Sequence, residues 1–251
     1  MADQETARKL SYWLLKKVNK AARDYKLIED GDRIAVAVSG GKDSLSLLRL
    51  LQVRRESARE QYELIAVHVQ TDYIPGGEAH SARLESWLAD NRIPYAIEPI
   101  SIPPSAPGSE PQPNCFRCSW NRRKAIFLTA HRLGANKVAF GHHADDVAQT
   151  TLLNLFYHGR LETMEPRVEF FGGLITVIRP LAYVPEKELL RFARANDFPL
   201  EPYCCPNSRS SRRAKMAQLL RAIEADCPRV KVNLARAVSR CRSAPGTRER
   251  P

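Results

Sequence analysis

The sequence predicts an α/β fold, an open and mostly parallel sheet with helices on both faces. Three observations carry this expectation. Short apolar, β-branched runs alternate with helical periodicities along most of the chain, the pattern of a parallel sheet covered on two sides. One such run ends in a glycine-rich loop that opens directly into a helix. The chain has 251 residues, enough to bury a substantial core in one large domain with appendages.

The elements follow in order. Between residues 4 and 28, Leu10, Trp13, Leu14, Val18, Ala21 and Tyr25 recur at helical spacing, so an amphipathic helix precedes the main domain. Residues 33–38 read as a first strand, 39–44 as a loop, and 45–51 as an apolar helix. Strands then follow at 63–69, 95–100 and 137–140, with helices at 81–91, 120–133 and 145–157. The stretch 101–114 carries Pro103, Pro104, Pro107, Pro111 and Pro113 and almost no apolar residues, so it is a loop leading into Cys115. Residues 168–171 and 174–178 form a hairpin in which Gly172 and Gly173 supply positive φ. A helix over 185–196 places Glu186 and Glu188 in its first turn. A polar loop at 201–211 and a helix over 211–224 follow, and the Pro/Gly/Arg-rich end from 243 is expected to be disordered. The expected division is an N-terminal helix at 1–30, the main domain at 31–215 and a basic helical tail at 216–251.

Lys and Arg total 39 against 28 Asp and Glu, for a formal net charge of +11. Such an excess favours polyanions, although it also serves solubility. It is concentrated at the ends: Lys16, Lys17, Lys20 and Arg23 mark the first helix, and Arg221, Lys231 and Arg236 belong to a crowded basic final fifth. Both ends are expected to flank one RNA. No opening secretion signal and no apolar run of membrane-spanning length is legible, so a cytoplasmic location without membrane contact is expected. Six cysteines in such a chain suit metal or redox chemistry better than disulfides.

Ser39, Gly40, Gly41, Lys42, Asp43 and Ser44 lie between strand and helix, where backbone N–H groups and the helix dipole converge on an anion. The glycines let the backbone approach a ligand, the serines offer hydroxyls, and Lys42 can neutralise charge. The spacing matches neither the kinase and GTPase P-loop nor a dinucleotide fingerprint. An ordinary glycine turn is the plainer alternative. Asp43 beside phosphates calls for Mg²⁺ between them or a hydrogen-bonding role. Gly141, His142, His143, Asp145 and Asp146 crowd the end of a later strand, where ligands of open parallel sheets bind. The alternatives there are Asp145 as an N-cap with surface histidines, or a metallohydrolase site. Cys115 and Cys118 can reach one metal centre at a helix start that favours thiolates; a redox pair, half a zinc ribbon and iron–sulfur ligation all fit that spacing. Cys204 and Cys205 add a third thiol, whereas Cys227 and Cys241 stand alone as incidental or buried thiols.

Residues 39–44 after a first strand resemble the PP-loop of ATP pyrophosphatases, an adenine nucleotide alpha hydrolase-like class that cleaves ATP between its α- and β-phosphates and transfers AMP to an oxygen. The resemblance implies that the loop holds pyrophosphate, that His68 lies by the adenosine, and that the cluster at 141–146 lies near the α-phosphate. With Cys115, Cys118, Gln149, residues 152–159, Arg179-Pro180-Leu181 and a late cysteine, the chain resembles the tRNA 2-thiocytidine synthetase family, related to the 2-thiouridine synthetases, over about residues 30–215. That resemblance implies a [4Fe-4S] cluster on Cys115, Cys118 and Cys205, Cys204 being the alternative third ligand. It further implies ATP with Mg²⁺, catalytic roles for Asp43, Asp145 and the three cysteines, and adenylation of a base C2 oxygen of tRNA followed by its replacement with sulfur. The expected target is a cytidine of the anticodon loop. The sulfur donor, a cysteine desulfurase or sulfide, stays open, and a homodimer is allowed. Arg122 stands where some relatives carry a lysine; it can stabilise phosphate charge but cannot act as a base. The alternatives are a tRNA lysidine synthetase-like ligase and a zinc-stapled RNA-binding module without catalysis.

Overall fold

The computed structural model describes residues 2–72, 76–101, 115–200 and 212–243. Six strands form one sheet in the order β3-β2-β1-β4-β6-β5: β1 (Asp32–Ala37), β2 (Tyr62–Thr71), β3 (Tyr95–Ile100), β4 (Lys137–Ala139), β5 (Arg167–Phe170) and β6 (Ile175–Ile178). All neighbours are parallel except β5 and β6. Ile34, Ala35 and Val36 are all fully buried. Successive residues of a strand face opposite ways, so β1 is covered on both faces, as its unbroken apolar run requires.

Helices α1 (Ala2–Tyr25), α2 (Lys42–Ser57), α3 (Gly77–Asp90), α4 (Cys115–Arg132), α5 (Ala144–His158), α6 (Glu186–Ala195), α7 (Arg212–Asp226) and α8 (Val230–Ser243) complete the described fold. One core joins α1, α2, α3 and α6 through Leu14, Val18, Leu48, Leu84 and Phe192. The other packs α4 on the opposite face through Phe127, Val138 and Val177. Burying such side chains contributes about 1.5–3 kcal/mol each, so these two layers supply most of the drive for folding.

Three features differ from the expectation. Leu14, Val18 and Ala21 sit fully inside the main core, so α1 is part of the domain rather than an appendage. Met216 and Leu220 of α7 pack against Ala148 and Leu152 of α5, and α7 begins at Arg212, across the expected boundary at 215. Helix α4 begins at Cys115 rather than near residue 120, which places both cysteines of the pair in its first turn. Amphipathic spacing reports that a helix has an apolar face, not what the face covers. The hairpin is as expected, with Gly172 at φ 66° and Gly173 at φ 93° turning β5 into β6.

Among the described residues no helix is long and apolar enough to cross a membrane. The proline-rich stretch up to residue 114, Cys204, Cys205 and the chain end from 244 lie outside the described residues.

The chain runs β1, β2, β3 toward one edge and then returns to place β4 on the other side of β1. Strand order reverses between β1 and β4, and the loops leaving their carboxyl ends flank a crevice there. Those two loops are 38–41 and 140–143.

Candidate nucleotide site and cysteine helix

The first loop is held by its own hydroxyls. Ser44 Oγ accepts the Ser39 N–H at 3.1 Å and donates to the Gly41 carbonyl at 2.9 Å, with Ser39 Oγ 3.2 Å away. Gly40 takes φ 78°, and a Cβ there would lie 2.3 Å from the His80 ring. His80 in turn donates from Nε2 to the Ser39 carbonyl at 3.0 Å. The loop is thus closed from within and braced from α3, leaving the N–H groups at the start of α2 as its open anion-binding face.

His68 lies under this loop and is buried. Its Nδ1 donates to the Val38 carbonyl at 2.8 Å, and its Nε2 accepts from Ser81 Oγ at 2.9 Å. Burial, with a smaller contribution from nearby positive charge, lowers its pKa to about 4, so the ring is neutral at physiological pH. Both nitrogens are committed to the fold, and the side chain braces the loop against α3 where adenosine contact was expected.

The second loop presses on the first. A Cβ on Gly141 would lie 3.0 Å from the Asp43 carbonyl carbon and the Ser44 nitrogen, so any larger residue would have to push the two loops apart by a few tenths of an ångström. His143 occupies the N-cap of α5, and its N–H donates to Asp146 Oδ2 at 3.0 Å. Asp145 does not cap its own helix. Its Oδ2 accepts the Glu186 N–H at 2.8 Å, capping α6, and its Oδ1 pairs with Lys231 Nζ at 2.5 Å. Burial opposes ionisation of Asp145, but the Lys231 ammonium and the Glu186 N–H outweigh it and hold its pKa below 3.8.

Asp43 is the contrasting carboxylate. Its Oδ2 pairs with Lys42 Nζ at 2.9 Å, whereas its Oδ1 is buried without a hydrogen-bond partner. Burial pushes its pKa up, and the nearby Asp146 adds to this against the pull of His143 and Lys42. The His143 ring stands between the two carboxylates, with Nε2 3.8 Å from Asp43 Oδ2 and 3.4 Å from Asp146 Oδ2. Lys42 also reaches Glu186 Oε1 at 2.9 Å, and its carboxylate partners keep its ammonium charged despite burial. An orphaned oxygen between acidic neighbours, beside an anion-binding helix start, fits a hard divalent cation carrying phosphates. The buried Nδ1 atoms of His142 and His143 also lack partners and are acceptors or donors in reserve.

Cationic side chains line the side of the crevice facing α4. Arg122 acts electrostatically on His68, and Arg123 on both His142 and Arg179. Arg179, just after β6, is largely buried with an unpartnered Nε, and burial lowers its pKa to about 10. Cys118 is half-buried in the first turn of the same helix, one turn ahead of Arg122. Cys115 opens that turn, and its side chain lies outside the described residues, as do Cys204 and Cys205. A cysteine in the first turn of a helix that also carries Arg122 and Arg123 suits iron–sulfur ligation, since that position favours the thiolate.

The sequence matches the PP-loop domain family over residues 13–201. A tRNA-cytidine(32) 2-sulfurtransferase of Geobacter sulfurreducens is 42% identical over 228 residues, covering 88% of this chain and 86% of the relative. The chain belongs to the PP-loop family of tRNA-cytidine(32) 2-sulfurtransferases. A relative of the same name from Citrifermentans bemidjiense is 40% identical over 228 residues, covering 89% and 88% of the two chains. The solved U34-tRNA thiolase NcsA of Methanococcus maripaludis, which holds a [4Fe-4S] cluster, superposes with a TM-score of 0.76 at 22% identity, over 96% of this chain and 81% of that one. That likeness is one of fold, the PP-loop fold expected from the strand–loop–helix motif.

Sequence reading singled out the loop at 39–44, the cluster at 141–146 and the cysteine pair. The structure brings the first two into contact and sets the α4 arginines beside them. His80, Glu186 and Arg213 were not singled out for the site. Glu186 had a signal, an acidic residue in the first turn of a helix, but nothing local shows that Lys42 is its partner. Lys231 was read as an RNA contact, and the structure pairs it with Asp145 instead.

Proposed function

We propose that this PP-loop protein uses ATP to adenylate the C2 oxygen of a cytidine in tRNA and replaces that oxygen with sulfur. Position 32 is the nucleoside for which its relatives are named. The observation that carries this reading is the orphaned Asp43 Oδ1, buried in the loop at the start of α2 where an anion would bind.

In this reading the N–H groups at the start of α2 hold the β- and γ-phosphates, and Asp43, whose Oδ1 has no protein partner, would hold Mg²⁺, with Asp146 beside it. The base oxygen attacks the α-phosphorus; the bond from the α-phosphorus to the bridging oxygen breaks, and pyrophosphate leaves. Arg123, Arg179 and Lys42 stabilise the charge that builds on the phosphoryl oxygens. Asp145 positions the site by tying α5 to α6 and α8. Cys115, Cys118 and Cys205 would hold a [4Fe-4S] cluster, which would supply sulfide-level sulfur to C2, with AMP as the leaving group. A lysidine synthetase-like ligase needs no such thiols, and a zinc-stapled module needs no phosphate loop.

The test is anaerobic purification with iron and sulfide analysis, followed by assay with tRNA, ATP and sulfide. Expected are iron-loaded protein, pyrophosphate release and a thiolated cytidine on nucleoside mass spectrometry. Cys115→Ala and Cys118→Ala should each lose the iron. Release of ADP, or unmodified cytidine with iron-loaded protein, would overturn the proposal.

A further inference from the structure

A groove outside the nucleotide site runs between α4 and the β5–β6 hairpin, with a volume of about 520 Å³. Its floor and rim are aromatic and aliphatic, yet they face solvent: Trp120 is 60% exposed, Phe171 65% and Leu174 54%. Phe116, one turn before Trp120 and 74% exposed, stacks on it with an interplanar angle of 16° and centroids 6.4 Å apart. Phe171 takes φ 55°, a left-handed conformation that bulky residues adopt at a cost, and this holds its ring at the groove mouth.

Two further observations say what would cover this surface. Its apolar floor is edged by cations, with Arg123 and Lys124 lining the groove, so the occupant should be both flat and anionic. Packed rings also join the groove's lining to the catalytic crevice. Phe171 contacts Phe127 (5.8 Å between centroids), Phe127 contacts Phe140 (6.5 Å), and Phe140 contacts His142 (5.6 Å). Arg123 belongs to both, since it lines the groove and acts on His142 and Arg179.

We propose that this groove seats the unpaired RNA next to the target nucleotide, with bases stacking on Trp120 and Phe171 and the backbone phosphates running along Arg123 and Lys124. Exposed aromatic faces edged by basic side chains are the recognition chemistry of single-stranded RNA, whose unstacked bases offer π-faces that a duplex hides. The groove would thereby select a target within a loop and hold its neighbours while the target base turns into the crevice. This rests on the thiolation reading above.

The experiment uses the full iron-loaded chain with Trp120→Ala, Phe171→Ala and the conservative Trp120→Phe. Because Trp120 and Phe171 are mostly exposed, their removal leaves the core intact. Expected is a rise in KM for tRNA of about tenfold in each alanine variant, the loss of one base–aromatic stack. Trp120→Phe should restore it, and kcat, iron content and KM for ATP should stay near wild type. Affinity for an unpaired oligoribonucleotide should fall in parallel, with no change for the same strand annealed to its complement. Sedimentation should show the same mass for all variants. Wild-type thiolation with an unchanged tRNA KM in Trp120→Ala would overturn the groove proposal and leave the thiolation reading standing. A change of sedimenting mass with unchanged RNA affinity would also overturn it, by assigning the groove to contact between copies. If the wild type fails to thiolate tRNA, the thiolation reading fails, and oligonucleotide affinity still decides the groove.

Discussion

Lys231 Nζ lies 2.5 Å from Asp145 Oδ1, so a lysine of α8 closes an ion pair with a carboxylate at the start of α5. Lys231 also reaches Glu224 of α7 at 2.7 Å, and Arg213 of α7 reaches Asp146 at 3.2 Å. The basic C-terminal segment is therefore bolted to the acidic rim of the catalytic crevice. Lys17 is likewise engaged, with Glu188 of α6. Both lysines are thus engaged with carboxylates of the fold.

Lys231→Met should therefore destabilise the protein by on the order of 1–2 kcal/mol, since it strands a buried carboxylate, discounted for partial exposure. The double variant Lys231→Met with Asp145→Asn should recover part of this loss. The depressed pKa of Asp145 places the pair's contribution above pH 3.8, to be lost as the pH falls below that value. Urea denaturation at pH 7 and at pH 3.5 checks both statements; equal stability of wild type and Lys231→Met at pH 7 would contradict them.

Asp43→Asn should remove the response to magnesium. Burial and Asp146 raise the pKa of Asp43, so ionised Asp43 costs stability that a bound cation repays. Thermal melts with and without Mg·ATP should show a stabilisation of several degrees in wild type and almost none in the variant. Pyrophosphate release should fall by about 100-fold or more, in keeping with loss of a group that organises charge at the reacting phosphate.

Gly141→Ala should reduce ATP affinity by about tenfold or more while the chain stays folded. Its Cβ would push on the Asp43 and Ser44 backbone and open the seam between the two loops. Gly40→Ala should be worse, because it meets the His80 ring as well as a left-handed φ of 78°. Titration calorimetry with a non-hydrolysable ATP analogue gives the ranking, and near-normal affinity in Gly141→Ala would show that the loops can separate without cost.

His68 should make the protein sensitive to mild acid. Its folded pKa of about 4 lies below the ordinary 6.5, so the unfolded chain binds the extra proton. The contribution is complete above pH 6.5, erodes as the pH falls, and levels off near pH 4, for a total of about 3 kcal/mol. His68→Gln should be less stable than wild type at pH 7 and should lose less on acidification. Parallel denaturation curves at pH 7 and 5 decide this, and identical pH slopes for the two proteins would refute it.

The succession of strands and helices along the chain is legible in the residues alone, because hydrophobic period is a local property of the chain. So is the phosphate loop, since a glycine pair between a buried strand and a helix start has few other uses. The cysteine pair is legible as a pair for the same reason, although its spacing alone leaves the metal or redox partner open. Which groups remain available for chemistry depends instead on packing between distant elements. Asp43 and Asp145 look alike in the sequence, but one keeps an orphaned buried oxygen while the other spends both oxygens on Glu186 and Lys231. His68 likewise reads as lying by the adenosine, and in the structure both its ring nitrogens are bound, to Val38 and Ser81. These partners come from different elements far apart in the chain. A buried polar group must be satisfied by whatever the packing brings beside it, and that is set by the sheet order and the docking of α6, α7 and α8.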